Sequence, residues 1–239
     1  MLPEVCPKCA RPLREPVDSC PYCGVIFAKL APAESCRNLA PPQPFGSLLP
    51  QVLLFVKPGE HGLLIVGKAA FMLLLAAYGI RLIFTPIVAF PSTSVWLHAV
   101  NLVFHEAGHV LFMPFGRFLQ VLGGSLGQLL VPAVVIGAFL RRHDTYGAAV
   151  GTWWLGESLL DLAPYINDAR AGQLMLLGGV TGSEVEDYHD WELLLTKLSM
   201  LPYDHALARM AHTTGTLLML SALFWGCRLL WKSWQQRIS

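Results

Sequence analysis

An apolar run over residues 95–113 carries His105-Glu106-Ala107-Gly108-His109 toward its end, and no other stretch constrains the chain so tightly. Its length and apolarity predict a membrane helix. On a helix, His105 and His109 stand one turn apart on one face, where both imidazoles can bind one Zn²⁺. Glu106 then lies beside the ion, placed to take a proton from a bound water. His98 and Asn101 extend this polar stripe toward the start of the same helix. Ionisable groups at membrane depth are costly, so a stripe of them marks a site and not a solvated face.

The composition agrees. Of 239 residues, 54% are hydrophobic and only 14% charged, where soluble domains run nearer a quarter charged. A net charge of +1, with no basic patch interleaved with aromatics, argues against a nucleic-acid partner. Residues 1–60 are polar and Pro-rich and lack the apolar core of a cleavable signal peptide.

Four of the six cysteines form two Cys-x-x-Cys pairs, Cys6/Cys9 and Cys20/Cys23. Each pair makes a knuckle presenting two thiolates, and two knuckles complete a tetrahedral Cys₄ site. Residues 1–30 therefore resemble a zinc ribbon whose folding depends on a structural Zn²⁺. Duplication of the pair counts against a redox role, and Cys36 and Cys227 stand alone. Residues 31–60 contain six prolines and read as a linker, and 61–239 as the membrane domain.

The expected fold is an all-α polytopic membrane protein with about four full spans. These cover 62–83, 95–113, 146–166 and 207–231. The Gly-rich stretch 118–140 either crosses once or re-enters. The basic residues favour re-entry: they cluster in the N-terminal region, at Arg141-Arg142 and at Lys232 and Arg237, and all lie on one side only if 118–140 returns. Both termini are then cytoplasmic and 167–206 lies opposite, with short amphipathic helices at 171–178 and 190–200.

A catalytic zinc needs a third protein ligand. Glu157 and Asp161 share one helix face, Asp168 ends that helix, and His189-Asp190-Trp191 forms a polar group in the following loop. Asp161 is the expected ligand, since its depth meets the middle of the 95–113 helix; Asp168 is the alternative, although nearby Arg170 suggests an ion pair there. Glu157, His98, Asn101, His189 and Asp190 are the candidates for supporting the ligands by hydrogen bonds. His189 or Asp190 could itself ligate only if the loop folds back over the site.

The His-Glu-x-Gly-His helix, the Gly-rich stretch and a later helix bearing an acid resemble the site-2-protease family of intramembrane zinc metalloproteases. In that family the third ligand is an aspartate in a downstream helix, within an Asp-Gly motif near an Asn-Pro pair. Here Leu-Ala-Pro-Tyr follows Asp161 and Ala-Arg follows Asp168, so the resemblance carries over only to His105, Glu106 and His109. The stretches 123–128 and 165–170 are similar to those of a branch of small bacterial membrane proteins grouped with these proteases. That resemblance spans roughly 95–205 and brings no substrate. It implies a multi-pass protein of the bacterial inner membrane that cleaves a membrane-associated protein with Glu106 as base. The other reading is a non-proteolytic adaptor or metal sensor that keeps the zinc and meets a protein partner through the ribbon.

Overall fold

The computed structural model describes residues 5–6, 8–13, 17–27, 52–92, 95–185 and 188–238. It divides into two units, Met1–Leu48 and Leu49–Ser239. Residues 31–51 of the expected linker lie outside the described residues.

In the first unit one short loop occurs twice. Cys6 N donates to Arg11 O and Ala10 N to Cys6 O; likewise Cys20 N donates to Val25 O and Gly24 N to Cys20 O, each at 2.9 Å. Bridges Val5–Pro12 and Ser19–Ile26 close the two loops. The residue after each second cysteine is left-handed, Ala10 at φ 56° and Gly24 at φ 70°. Glycine adopts this freely, whereas Ala10 does so at a cost of about 1 kcal/mol. The four Sγ atoms lie within 4.8 Å of one another, with Cys6–Cys23 and Cys9–Cys20 both at 3.7 Å. Thiolates about 2.3 Å from one tetrahedral Zn²⁺ stand about 3.8 Å apart, so the spacing suits that ion.

The second unit is helical, and no strand occurs among its described residues. Its helices are α1 (Gly62–Ile83), α2 (Val95–Phe112), α3 (Arg117–Arg141), α4 (Thr145–Asn167), α5 (Asp190–Lys197) and α6 (Asp204–Ile238). Among the described residues, three helical segments are long and apolar enough to cross a membrane: α1, α3 and the Leu201–Ile238 stretch that contains α6. Helices α2 and α4, expected as spans, are not among those three; they carry the polar residues inside the bundle. Helix α4 is the most enclosed, burying Trp153, Glu157, Leu160 and Asp161 among others. Its Gly156 lies so near Gly215 of α6 that a Cβ on either would meet the other's carbonyl oxygen.

Residues 118–140, expected to re-enter, form an unbroken helix in α3. The glycines do not break it because they serve as a contact face. A Cβ on Gly108 of α2 would strike Gly123 O, and one on Gly127 would come 2.5 Å from Phe104 O and 2.9 Å from the Cα of Gly108. Small residues one turn apart let two helix backbones touch, which is their common use in membrane bundles. The expected helix at 171–178 is instead irregular chain pinned by a Met175–Thr181 bridge, while α5 forms within the expected 190–200.

The basic segments nevertheless gather at one end. Trp225 Nε1 donates to Leu53 O at 2.6 Å, Lys232 Nζ to Leu54 O at 2.7 Å and Thr145 Oγ1 to Phe55 O at 2.5 Å. These bonds unite the chain before α1, the α3–α4 corner and the last turns of α6. Helix α1 leaves this end and α3 returns to it, while α2 runs antiparallel along α3. Residues 52–60 thus belong to the helical unit and not to a free linker.

Two outcomes follow from this packing. Gly108→Ala should lower thermal stability in detergent by about 1–3 kcal/mol, the usual cost of overpacking, while an alanine at Gly67, where a Cβ meets nothing, should not. Cys6→Ser with Cys20→Ser should remove one equivalent of bound metal by elemental analysis, whereas Ala10→Gly should keep it and resist chelation better.

Candidate metal centre

The helical repeat puts the His105 and His109 rings side by side, with centroids 4.8 Å apart. Both Nε2 atoms face one carboxylate oxygen, Oδ2 of Asp190, at 3.0 Å from His105 and 3.1 Å from His109. A tetrahedral zinc with ligands about 2.0–2.1 Å away has edges of about 3.3 Å. Both distances to Asp190 therefore stand close to that spacing, and the three ligand atoms lie within 4.8 Å of one another.

The opposite ring nitrogens settle the tautomers. His105 Nδ1 lies 3.2 Å from Gln128 Oε1, and His109 Nδ1 lies 2.9 Å from Gln120 O. Both partners only accept, so each Nδ1 donates and each Nε2 can turn a lone pair to a cation. Space for the cation comes from Gly124. A Cβ there would sit 2.5 Å from His109 Nε2 and 2.6 Å from His105 Nε2, within the volume an ion would occupy. The donor set, the tautomers and this recess all fit a bound divalent ion.

Asp190 is brought in from a separate element. Helix α5 begins with Asp190 and Glu192 in its first turn, and the His189 side chain caps it by accepting from Glu192 N. Leu193 and Leu194 then bury against Val121 near the start of α3, beside Phe118 and Leu122.

Asp161, the acid expected from the sequence to ligate, is directed elsewhere. It stands with the earlier part of the α2 stripe, Oδ1 2.9 Å from His98 Nδ1, while Oδ2 accepts from Asn101 at 3.2 Å and from Gln128 at 2.9 Å. Gln128 thus lies between Asp161 and His105, and the carboxylate orients the amide that orients the imidazole. Glu157, fully buried, accepts from Asn101 at 2.9 Å. Asp168, the alternative ligand, accepts from Gln173 N at 3.0 Å and Leu174 N at 2.8 Å. Its other neighbour is His189, whose Nε2 lies 3.6 Å away. Arg170 pairs with Asp204 at the start of α6, at 2.8 Å, and not with Asp168. The signal for Asp190 in the sequence was the pattern of a short capped helix, with acids in its first turn followed by Leu193-Leu194-Leu195.

A cavity of about 220 Å³ opens beside the three ligands. Half-buried Glu106 lines it, with His98 and Tyr165 on one side and Leu176, Leu177 and Tyr188 from the irregular segment on another. Tyr165 stacks on His98, and its hydroxyl lies 3.3 Å from His98 Nε2. The site thus combines a three-ligand cluster with a carboxylate on the wall of the same cavity. The chain matches no family model, no curated protein and no solved structure.

Asp190→Ala should abolish metal binding at this centre, measured in protein whose ribbon cysteines are replaced, while Asp161→Asn should leave the ligand set complete. Gln128→Leu removes the acceptor for His105 Nδ1 and should weaken metal affinity by about 10–100-fold, the usual effect of losing such a partner.

Proposed function

We propose that the chain is a zinc-dependent intramembrane endopeptidase of the site-2-protease type, acting on a membrane-associated protein. The observation that carries this reading is Glu106 lining the same cavity as His105, His109 and Asp190. Zn²⁺ bound by those three residues would supply the Lewis acidity that makes water a nucleophile near neutral pH and polarises the scissile carbonyl. Glu106 accepts the proton from the attacking water and delivers it to the leaving amine. Gln128 and the Gln120 carbonyl hold the two imidazoles in the required tautomer. The acid is Asp190, followed by Trp191 and not by glycine, so the kinship to that family rests on the two histidines and Glu106.

The gathering of Lys57, Arg141, Arg142, Lys232 and Arg237 at one end of the bundle supports a multi-pass orientation with that end cytoplasmic. In this orientation α1, α3, α4 and α6 cross, α2 packs antiparallel along α3, and the irregular segment covers the site from the opposite face. A bacterial inner membrane suits such an arrangement.

A second reading is favoured by the separate Cys₄ unit: a membrane adaptor or metal sensor whose ribbon docks a protein partner. Glu106→Gln separates the two. It should retain both metals, while proteomics of membrane fractions should show one or more membrane proteins no longer shortened. Unchanged processing, with the phenotype of the wild type preserved, would favour the adaptor.

A further inference from the structure

A second cavity, of about 550 Å³, lies at the basic end of the bundle, walled by the chain before α1, the α3–α4 corner and the last turns of α6. Its charges do not balance. Of the carboxylates on its wall, Glu60 is held by Lys68 at 2.5 Å, and Asp144 caps α4 by accepting from Gly147 N at 2.8 Å. The ammonium of Lys68 also sits over the Tyr146 ring, 5.2 Å from its centre. Lys57 and Arg142 are both exposed on the same wall, and neither side chain has an ion-pair or hydrogen-bond partner among the described residues. His143, next to Arg142 in sequence, also lines the cavity, its ring 5.5 Å from that of Phe55. The cavity therefore offers two cations without partners among the described residues, while Glu60, through one oxygen, and Asp144 each hold a partner of their own.

One part of its wall, away from these charges, is apolar. Leu64 of α1, 52% exposed, and Leu229 and Leu230 of α6 form it. Both helices are long and apolar enough to cross a membrane, so this wall runs on into the faces that would meet lipid. A free inorganic anion has no use for such a wall. A molecule with a phosphate at one end and hydrocarbon at the other uses both parts.

We infer that this cavity binds an anionic phospholipid, the phosphate between Lys57 and Arg142 and the start of an acyl chain along Leu64 and Leu230. A guanidinium offers paired donors to phosphate oxygens, and an ammonium adds a point charge. Basic recesses between membrane helices serve this purpose elsewhere. The site requires the helices to cross a bilayer but not the metal centre to be catalytic, so either proposal can fail alone.

Native mass spectrometry of the full-length protein in detergent, titrated with phosphatidylglycerol or phosphatidylcholine, tests it. Wild type should bind phosphatidylglycerol about tenfold or more tightly than phosphatidylcholine, in keeping with two cations at the headgroup. Lys57→Gln with Arg142→Gln should erase that preference while leaving zinc content and thermal stability unchanged, which shows that the variant is folded. Leu230→Gln should weaken phosphatidylglycerol without affecting inorganic phosphate. Equal binding of the two lipids, or a preference that survives the double variant, would overturn the proposal. So would binding of inorganic phosphate alone that is lost in the double variant, since the site would then be one for a soluble anion.

Discussion

The contact between the backbones of α2 and α3 is the constraint from which the rest of the membrane unit follows. Gly108, Gly123 and Gly127 remove the side chains that would otherwise hold these helices apart. Only at that separation does Gln128 reach His105 and the Gln120 carbonyl reach His109. Gly124, one residue along from the contact face, leaves the recess beneath the two Nε2 atoms. One row of missing methyl groups thus sets the helix spacing, the histidine tautomers and the room for an ion.

A second layer of order runs through acids that do not ligate. Asp161 is tied to His98, Asn101 and Gln128 at once, and Glu157 joins it through Asn101. These groups are buried inside an apolar bundle, where an unsatisfied carboxylate is costly, and their mutual bonds offset that cost. Asp168 organises the opposite flank, gathering two backbone amides and facing His189. Since His189 caps the helix that begins with Asp190, the alternative ligand expected from the sequence stands beside the turn that delivers the third member of the cluster.

Local signals were the legible ones. The apolar periods gave α1 with its observed bounds, and the HExxH spacing put His105, Glu106 and His109 on one wall of a cavity. The paired Cys-x-x-Cys motifs likewise predicted the sulfur cluster now seen. The Gly-rich stretch misled because glycine can either break a helix or flatten its face, and only the partner helix decides between these. Asp190 was obscured for a related reason. Its approach depends on Leu193 and Leu194 docking against Val121, a contact between distant segments that no spacing in the chain reveals. Asp161 looked better placed because depth along a helix can be read from sequence, whereas the direction of its side chain cannot.

Because the cluster joins His105 to a residue 85 positions later, an ion held there would be a clasp between the helical bundle and its outer covering. A cross-link of that reach removes on the order of 4 kcal/mol of entropy from the open chain. Metal affinity and closure of the covering segment then become one equilibrium. Whatever lifts α5 from the start of α3 loosens the ion by the same factor that the ion resists the lifting. An entering polypeptide that displaced Leu193 and Leu194 would disarm the centre, while one that slid beneath Leu176 and Tyr188 would leave the clasp fastened.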